Sequence, residues 1–485
     1  MRALLGFLAF NGLLIGLGLA LAFAVGLVRP HPRALVTALG AGLLLGAAAA
    51  GAVTFAALAI GLGLDVKTWG PAAAVAIALL VAVGRRRHPH GAHAEGILRR
   101  EWVLAAGVFA LYVAAQALRV HGIGVAWDAA HNWYLKATFL ANERTLSGAL
   151  FSNAGAFDTS HLDYPLVQPA LAAMLFRFTA QSSQTLVVIE LWLLVGAAVL
   201  AAAPLAGCGE RSWIAIVPFA VAFAAPLLGG DILRGDADAL MAGFLGAGAL
   251  AIGSWLERGP PAPLIAGAVL LAGAAGTKNE GLAFGICVLA AALGVTLVTD
   301  RRRALAVLAA GAGVLLLIAP WRIWLHQHGP YATDVTPLSV SLNVHFLSDQ
   351  VPLLDFGARE LLAKLIDPSF YGLVAPVAIA VCLAVLVAGP LRRLAAFHLA
   401  SILLAAFALL WIYWTSTGAD AYGHVARTSL RTGLGPLFLA AAALGNLLPR
   451  LLPAHGGTSA PSPTRGGATE PASRAGDPVG AVVSE

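Results

Sequence analysis

Long apolar runs separated by short polar stretches dominate the chain, and most of them can be matched to the thickness of a bilayer. A helix satisfies its own backbone groups in lipid, and crossing the hydrocarbon core takes roughly 20 residues. Runs 3–28, 34–63, 68–84, 101–119, 184–204, 213–229, 239–256, 263–278, 281–299, 304–325, 371–389, 394–414 and 430–449 meet or approach that length. They predict an all-α integral membrane protein with about thirteen transmembrane helices. The run 166–180 is short for a crossing and is expected as a re-entrant or juxtamembrane helix, with Pro165 at its first position. The first run exceeds the apolar stretch of a signal peptide and reads as a span. From Pro453 the chain turns to Gly, Ser, Pro and Ala, too poor in large apolar groups to offset ordering entropy, and reads as a disordered cytoplasmic tail.

Composition agrees with this pattern. Hydrophobic residues make up 59% and charged residues 11% of 485 positions, with mean hydropathy +0.83, which excludes one water-soluble core and hence a soluble enzyme. Cys208, Cys287 and Cys382 lie far apart and form neither a metal quartet nor a disulfide framework. The net charge of +6 comes largely from arginine-rich loops beside apolar runs, which report orientation and not a nucleic-acid partner. Arg85–Arg87 with Arg99 and Arg100, Arg301–Arg303, and Arg392 with Arg393 mark cytoplasmic loops. Six crossings between 101 and 299 keep the first two on one side. Segments 120–183, 229–238, 326–370 and 415–429 then face outward, and they hold 13 of the 24 acidic residues. Tryptophans near the proposed helix ends, among them Trp69, Trp321 and Trp414, fit headgroup anchors.

The richest outer segment starts at Trp127, Asp128, His131, Trp133, Tyr134 and Lys136. It continues through Glu143, Arg144 and Asp158 to His161, Asp163, Tyr164 and Pro165. A polar loop of this length between helices is either a solvated cap or a functional site. A second cluster is Asp231, Arg234, Asp236 and Asp238, at the start of the run beginning at Ala239. Helix capping accounts for one of these acids but not for three within eight residues. Thr277, Lys278, Asn279, Glu280 and Gly281 break an apolar stretch. The order of residues is not that of a P-loop, so Lys278 is read either as a phosphate contact or as a snorkelling lysine. In the last segment, His424, Arg427 and Arg431 lead into the final helix. A cation at a helix start is disfavoured by the macrodipole unless an anion compensates it, with snorkelling as the other reading. Glu190 inside an apolar run needs a cavity or a partner. His326 and His328 read as interfacial.

Taken together, Trp127–Lys136, His161–Pro165, Asp238, Thr277–Gly281 and His424–Arg431 resemble the polytopic GT-C glycosyltransferases, in particular bacterial members related to protein O-mannosyltransferases and lipid A aminoarabinose transferases. The resemblance covers about residues 101–449. It leaves 1–100 as an N-terminal set of helices with a basic loop, and 450–485 as the tail. It implies a multi-pass protein of the inner membrane with its site on the extracytoplasmic side. The donor would be a polyprenyl-phosphate-linked sugar, the acceptor a lipid, glycan or protein, and transfer would proceed with inversion. Asp128 would be the base, and Asp238 or Asp236 the second acid. Trp127, Tyr134, Lys136, His161, Asp163, Tyr164, Lys278, Glu280, His424, Arg427 and Arg431 would line the substrate site. Relatives often place Glu after the first acid, where this chain has Ala129, so a divalent metal is not clearly implied and the cofactor stays unknown. A multi-helix transporter or flippase of a lipid-linked sugar is the alternative, with Glu190 as its intramembrane site.

Overall fold

The computed structural model describes residues 1–28, 37–87, 124–153, 157, 160–224, 233–329, 338–417 and 420–452, with isolated positions between 103 and 114. The expected span 101–119 lies largely outside these residues. Arg99, Arg100, Asp158, Asp231 and the tail from Pro453 lie outside them entirely. Residues 1–451 form one compact unit.

Among the described residues the structure is all helical, without strands. The principal elements are α1 (Arg2–Val25), α2 (Leu39–Ala59), α3 (Val66–Arg87), α4 (Leu135–Glu143), α5 (Val167–Thr179), α6 (Gln184–Ala206), α7 (Ile216–Ala224) and α8 (Ala237–Arg258). They continue with α9 (Pro261–Ala275), α10 (Asn279–Thr299), α11 (Arg301–His328), α12 (Val351–Ile366), α13 (Val374–Ala388), α14 (Arg392–Trp414), α15 (Ala421–Thr432) and α16 (Leu434–Leu451). Nine helical segments among the described residues are long and apolar enough to cross a membrane, fewer than the thirteen expected from sequence. Three further apolar helices, Arg211–Ala224, Pro261–Ala275 and Val374–Ala388, are shorter. At 1.5 Å per residue, the 15 residues of α9 or α13 extend only about 22 Å, less than the ~30 Å hydrocarbon core.

Helix α8 is the centre of the bundle, with 94% of its apolar window buried, whereas α3 at 6% lies on the outside. Small residues allow this packing. Gly42 and Gly46, one turn apart on α2, meet Gly18 of α1 so closely that a Cβ on Gly18 would strike the Gly42 carbonyl, and one on Gly46 the Leu14 carbonyl. Exposed Leu79, Val298, Leu316 and Val387 present the outer surface expected of a protein solvated by lipid chains.

The alternating helix directions put two chemically different ends on the bundle. At one end arginines close helix C-termini: Arg258 Nη1 donates to Gly207 O at 2.9 Å, Arg303 Nη1 to Leu256 O at 3.0 Å and Arg450 Nη2 to Ala206 O at 3.1 Å. At the other end the loops are joined through their backbones. Leu64 N donates to Arg144 O at 2.7 Å, Ala126 N to Arg234 O at 2.8 Å and Val167 N to Gly276 O at 2.8 Å.

Several boundaries differ from the sequence reading. Helix α5 begins at Val167 with Leu166 as its N-cap, so Pro165 precedes the helix instead of opening it. At 13 residues it is about 20 Å long and lies almost wholly buried against α1, α2 and α4. The run expected from 371 begins at Val374, because Gly372 and Leu373 both take left-handed backbone and separate it from the short helix Pro368–Tyr371. Segments expected only as outer loops contain the helices α12 and α15. Their charged residues alternate with apolar ones at helical spacing, so a search for continuous apolar runs passes over them.

Candidate functional site

The loop-joined end gathers side chains from five separate stretches of sequence. Asp128 precedes a π-helical turn, Ala129–Tyr134, and π turns of this kind often occur at functional sites. Its Oδ1 accepts from Asn132 Nδ2 at 2.6 Å, and its Oδ2 is paired with Arg431 at the end of α15. Arg431 Nη1 also lies 3.5 Å from Asp236 Oδ2. One guanidinium thus serves two carboxyl groups that are 108 residues apart in sequence (236 minus 128).

Gly235 makes that approach possible. Its φ of +108° is open to glycine, and a Cβ there would lie 3.1 Å from both Ala129 Cβ and Val125 Cγ1. Gln168 Nε2 fixes the same loop from α5 by donating to Gly235 O at 2.6 Å, and Trp192 Nε1 does so from α6, to Leu233 O at 2.8 Å.

Asp236 occupies the N-cap position of α8 but makes no capping bond with its side chain, so capping does not account for it. Burial drives its carboxyl well above the usual carboxylate range, and the negative charge of Asp238 adds to the effect against the opposing pull of Arg431.

The second cation is Lys278, between α9 and α10. Its Nζ lies 2.9 Å from Asp238 Oδ1 and 3.2 Å from Glu280 Oε1. Burial opposes its charge, but these two carboxylates outweigh it and hold the ammonium well above its ordinary pKa. Lys278 is buried and paired rather than snorkelling. Each of the two cations is shared by two acids.

An aromatic layer adjoins this pair. Trp133 and Tyr164 stack at 5.5 Å with planes 4° apart, and His161 stacks on Tyr164 at 5.1 Å. Lys278 Nζ lies 5.6 Å from the centre of the Tyr164 ring, and Lys136 Nζ 5.7 Å from it and 5.1 Å from that of Trp133. Lys136 is fully enclosed and donates to His161 O at 2.6 Å. Its pKa is lowered to about 7, because burial outweighs the attraction of Asp163 and Asp128. The accepting carbonyl belongs to a residue held at φ +42°, an uncommon left-handed conformation for histidine. Burial raises the Asp163 carboxyl, with Lys136 and His161 opposing.

Some functional candidates were not singled out in the sequence. Arg322 of α11 donates to Asn279 Oδ1 at 2.7 Å, and Asn279 Nδ2 donates to Asp163 Oδ2 at 3.2 Å. An ionisable residue within an apolar span is itself the signal that would have found Arg322, but the flanking Trp321 and Trp324 drew the segment toward an anchor reading. Tyr371 and Tyr413 close the α15–α16 junction through bonds to Leu430 O and Thr432 Oγ1. Lys364 of α12 grips α15 through Ser429 and Ala426 O.

Other predicted residues lie apart from the two bridges. Arg427 is exposed and paired with Asp420 at 2.8 Å, and His424 is exposed on the same helix. Trp127 is 73% exposed at the margin beside Asp128, with its ring 4.3 Å from His131. Tyr134 donates to Ser182 O at 3.1 Å.

The site is rich in acceptors that lack donors. Asn132 Oδ1, Asp163 Oδ1, both Asp236 oxygens and Glu280 Oε2 are buried without a hydrogen-bond partner. Such atoms are costly unless a ligand or ordered water satisfies them. No group of three or more His, Cys, Asp or Glu among the described residues is disposed to hold a metal ion. The nearest carboxylates are already engaged, Asp128 by Arg431 and Asn132, Asp238 by Lys278, so this donor set does not fit a divalent metal. No protein-family model matches the chain, and comparison with curated proteins and with solved structures yields no match.

Proposed function

We propose that the chain is a GT-C-type glycosyltransferase that moves a sugar from a polyprenyl-phosphate donor to a hydroxyl or amine acceptor at the extracytoplasmic face. The observation that carries this reading is the meeting of Asp128, Asp236 and Arg431 with Asp238, Lys278 and Glu280, amid buried acceptors without donors. Sugar hydroxyls supply donors of the kind those oxygens lack. In this reading the span 101–119 and the three short apolar helices complete about thirteen crossings, and the arginine-capped end faces the cytoplasm.

Asp128 is the base. An acceptor hydroxyl becomes an adequate nucleophile when its proton passes to a carboxylate within hydrogen-bond reach during attack. Attack at the anomeric carbon breaks the bond to the phosphate oxygen, and the proton rests on Asp128. The departing phosphate keeps the bonding electron pair, and cations aimed at it lower the barrier. Arg431 and Lys278 are those cations. A phosphate offers a guanidinium two parallel bonds and competes well for Arg431, so donor binding loosens Asp128 from its partner.

The direct test is transfer by purified protein from a polyprenyl-phosphate sugar. Wild type forms glycosylated acceptor, and Asp128→Asn loses turnover by two to four orders of magnitude or about that while still binding donor. Full turnover by Asp128→Asn defeats the assignment. A transporter of lipid-linked sugar is the second reading, favoured by buried Glu190 with its amide partner Asn11. Movement of a sugar lipid across vesicles without transfer would select it.

A further inference from the structure

The bundle buries one carboxyl that the converged site does not use. Glu190 of α6 is 4% exposed, and its Oε2 accepts from Asn11 Nδ2 of α1 at 2.9 Å. Its Oε1 is buried without a hydrogen-bond partner, and so is Oε1 of Gln168 on α5. Both residues line one cavity of about 20 Å³, whose other walls include Leu171, Val187, Leu191 and Leu240. A single water-sized occupant needs roughly 10–15 Å³, so the cavity has room for one.

The charged groups on the surrounding helices are committed elsewhere. Among the described residues α2 and α7 carry none, and α1 carries only Arg2 at its start. Arg177 of α5 lies 3.8 Å from Asp65. On α8, Asp236 faces Arg431 and Asp238 is bonded to Lys278. Glu190 is the sole charged type on α6. A water in the cavity would satisfy the two oxygens but leave a carboxylate charge in an apolar bundle, where an uncompensated ion is strongly disfavoured. One positive charge removes both problems.

We infer that the cavity between α5 and α6 is a binding site for one monovalent cation, either a proton on Glu190 or a sodium ion shared by the oxygens of Glu190 and Gln168. Gln168 also holds the Gly235 carbonyl beside Asp236, so the occupant is linked through one side chain to the loop of the outer site. The site is independent of the glycosyl-transfer reading and stands whichever reaction the outer residues perform.

The test is thermal unfolding of the full chain in detergent, comparing wild type with Glu190→Gln, which keeps the shape and the bond to Asn11 without a titratable charge. If sodium is the occupant, wild-type Tm rises in sodium chloride relative to choline chloride at equal ionic strength, and Glu190→Gln shows no such rise. If a proton is the occupant, wild-type Tm ignores sodium but falls as pH is raised from acid toward neutrality, and Glu190→Gln, which lacks the titrating carboxyl, falls less steeply over the same range. Identical salt and pH responses in the two proteins overturn the proposal. Should Glu190→Gln fail to fold, labelling of wild type with an apolar carbodiimide decides. Modification of Glu190 that sodium or alkali suppresses supports the site, and Glu190 left unmodified in acid, in alkali and without sodium overturns it.

Discussion

Replacing Lys278 by Met removes the cation bonded to Asp238 while keeping a similar side-chain volume. The side chains of Asp238 and Lys278 are 1% and 6% exposed and lie 2.9 Å apart. Coulomb attraction at that distance is about 6 kcal/mol with an effective dielectric of 20. Most of it is offset by desolvation, so the pair itself adds little, whereas removal of one partner strands the other. Breaking such a buried pair costs about 3–5 kcal/mol. Glu280, 3.2 Å from the same Nζ, loses its partner too, which places Lys278→Met toward the upper part of that range. Asp238→Asn costs less, because Lys278 keeps Glu280. The double variant Asp238→Asn/Lys278→Met recovers more than about 1 kcal/mol relative to the sum of the singles. Unfolding of the purified chain in detergent, followed by a double-mutant cycle, reads both quantities. A Lys278→Met protein within about 0.5 kcal/mol of wild type, or strictly additive effects, would refute the buried bridge.

Three further outcomes follow from the packing and the charges. Lys136 has a folded pKa of about 7 against an ordinary 10.5. The unfolded chain therefore binds the extra proton between those values and wild-type stability rises with pH across that window. Below it both states are protonated and the penalty is constant. Tm against pH for wild type and Lys136→Met checks this, and parallel curves would contradict it. Gly46→Val drives a side chain into the Leu14 carbonyl and costs about 1–3 kcal/mol or separates α1 from α2, measured by the same unfolding assay. Asp236→Asn changes stability by less than about 1 kcal/mol, since burial and the neighbouring Asp238 already disfavour the charged form of the carboxyl it replaces. A loss of about 3–5 kcal/mol would show instead an ionised partner of Arg431.

Legibility in the sequence followed the range of the interactions. Apolar runs announce themselves locally, and α6, α8 and α10 begin and end within a few residues of their expected bounds. Length misled where an apolar run folds as shorter pieces, as at Gly209–Ala224, where a 3-10 turn precedes α7. The unusual density of acids pointed to Asp128, Asp236 and Asp238, but which cation each would meet depends on helix rotation and loop closure. Arg431 was expected at the start of the final helix, compensated by an anion or snorkelling; it lies instead in the last turn of α15, and it meets the carboxylate of Asp128, 303 residues away, a pairing that no local pattern carries. The Asn11–Glu190 bond is hidden for the same reason, since Asn11 reads as one polar residue in an apolar run. Lys136 and Arg427 were equally plausible by composition, yet one is enclosed beneath aromatic rings and the other lies on the surface.

The central claim is that distant segments build one receptor for a lipid-linked phosphate. A polyprenyl-phosphate with a photoreactive group beside the phosphate, cross-linked to the purified chain and mapped by mass spectrometry, tests it most directly. The account predicts labels on the peptides bearing Asp128, Asp236 to Asp238, Lys278 to Glu280, and Arg431, each suppressed by unlabelled donor. Labels scattered over the apolar outer helices, or the same labels from a polyprenol without phosphate, would contradict it.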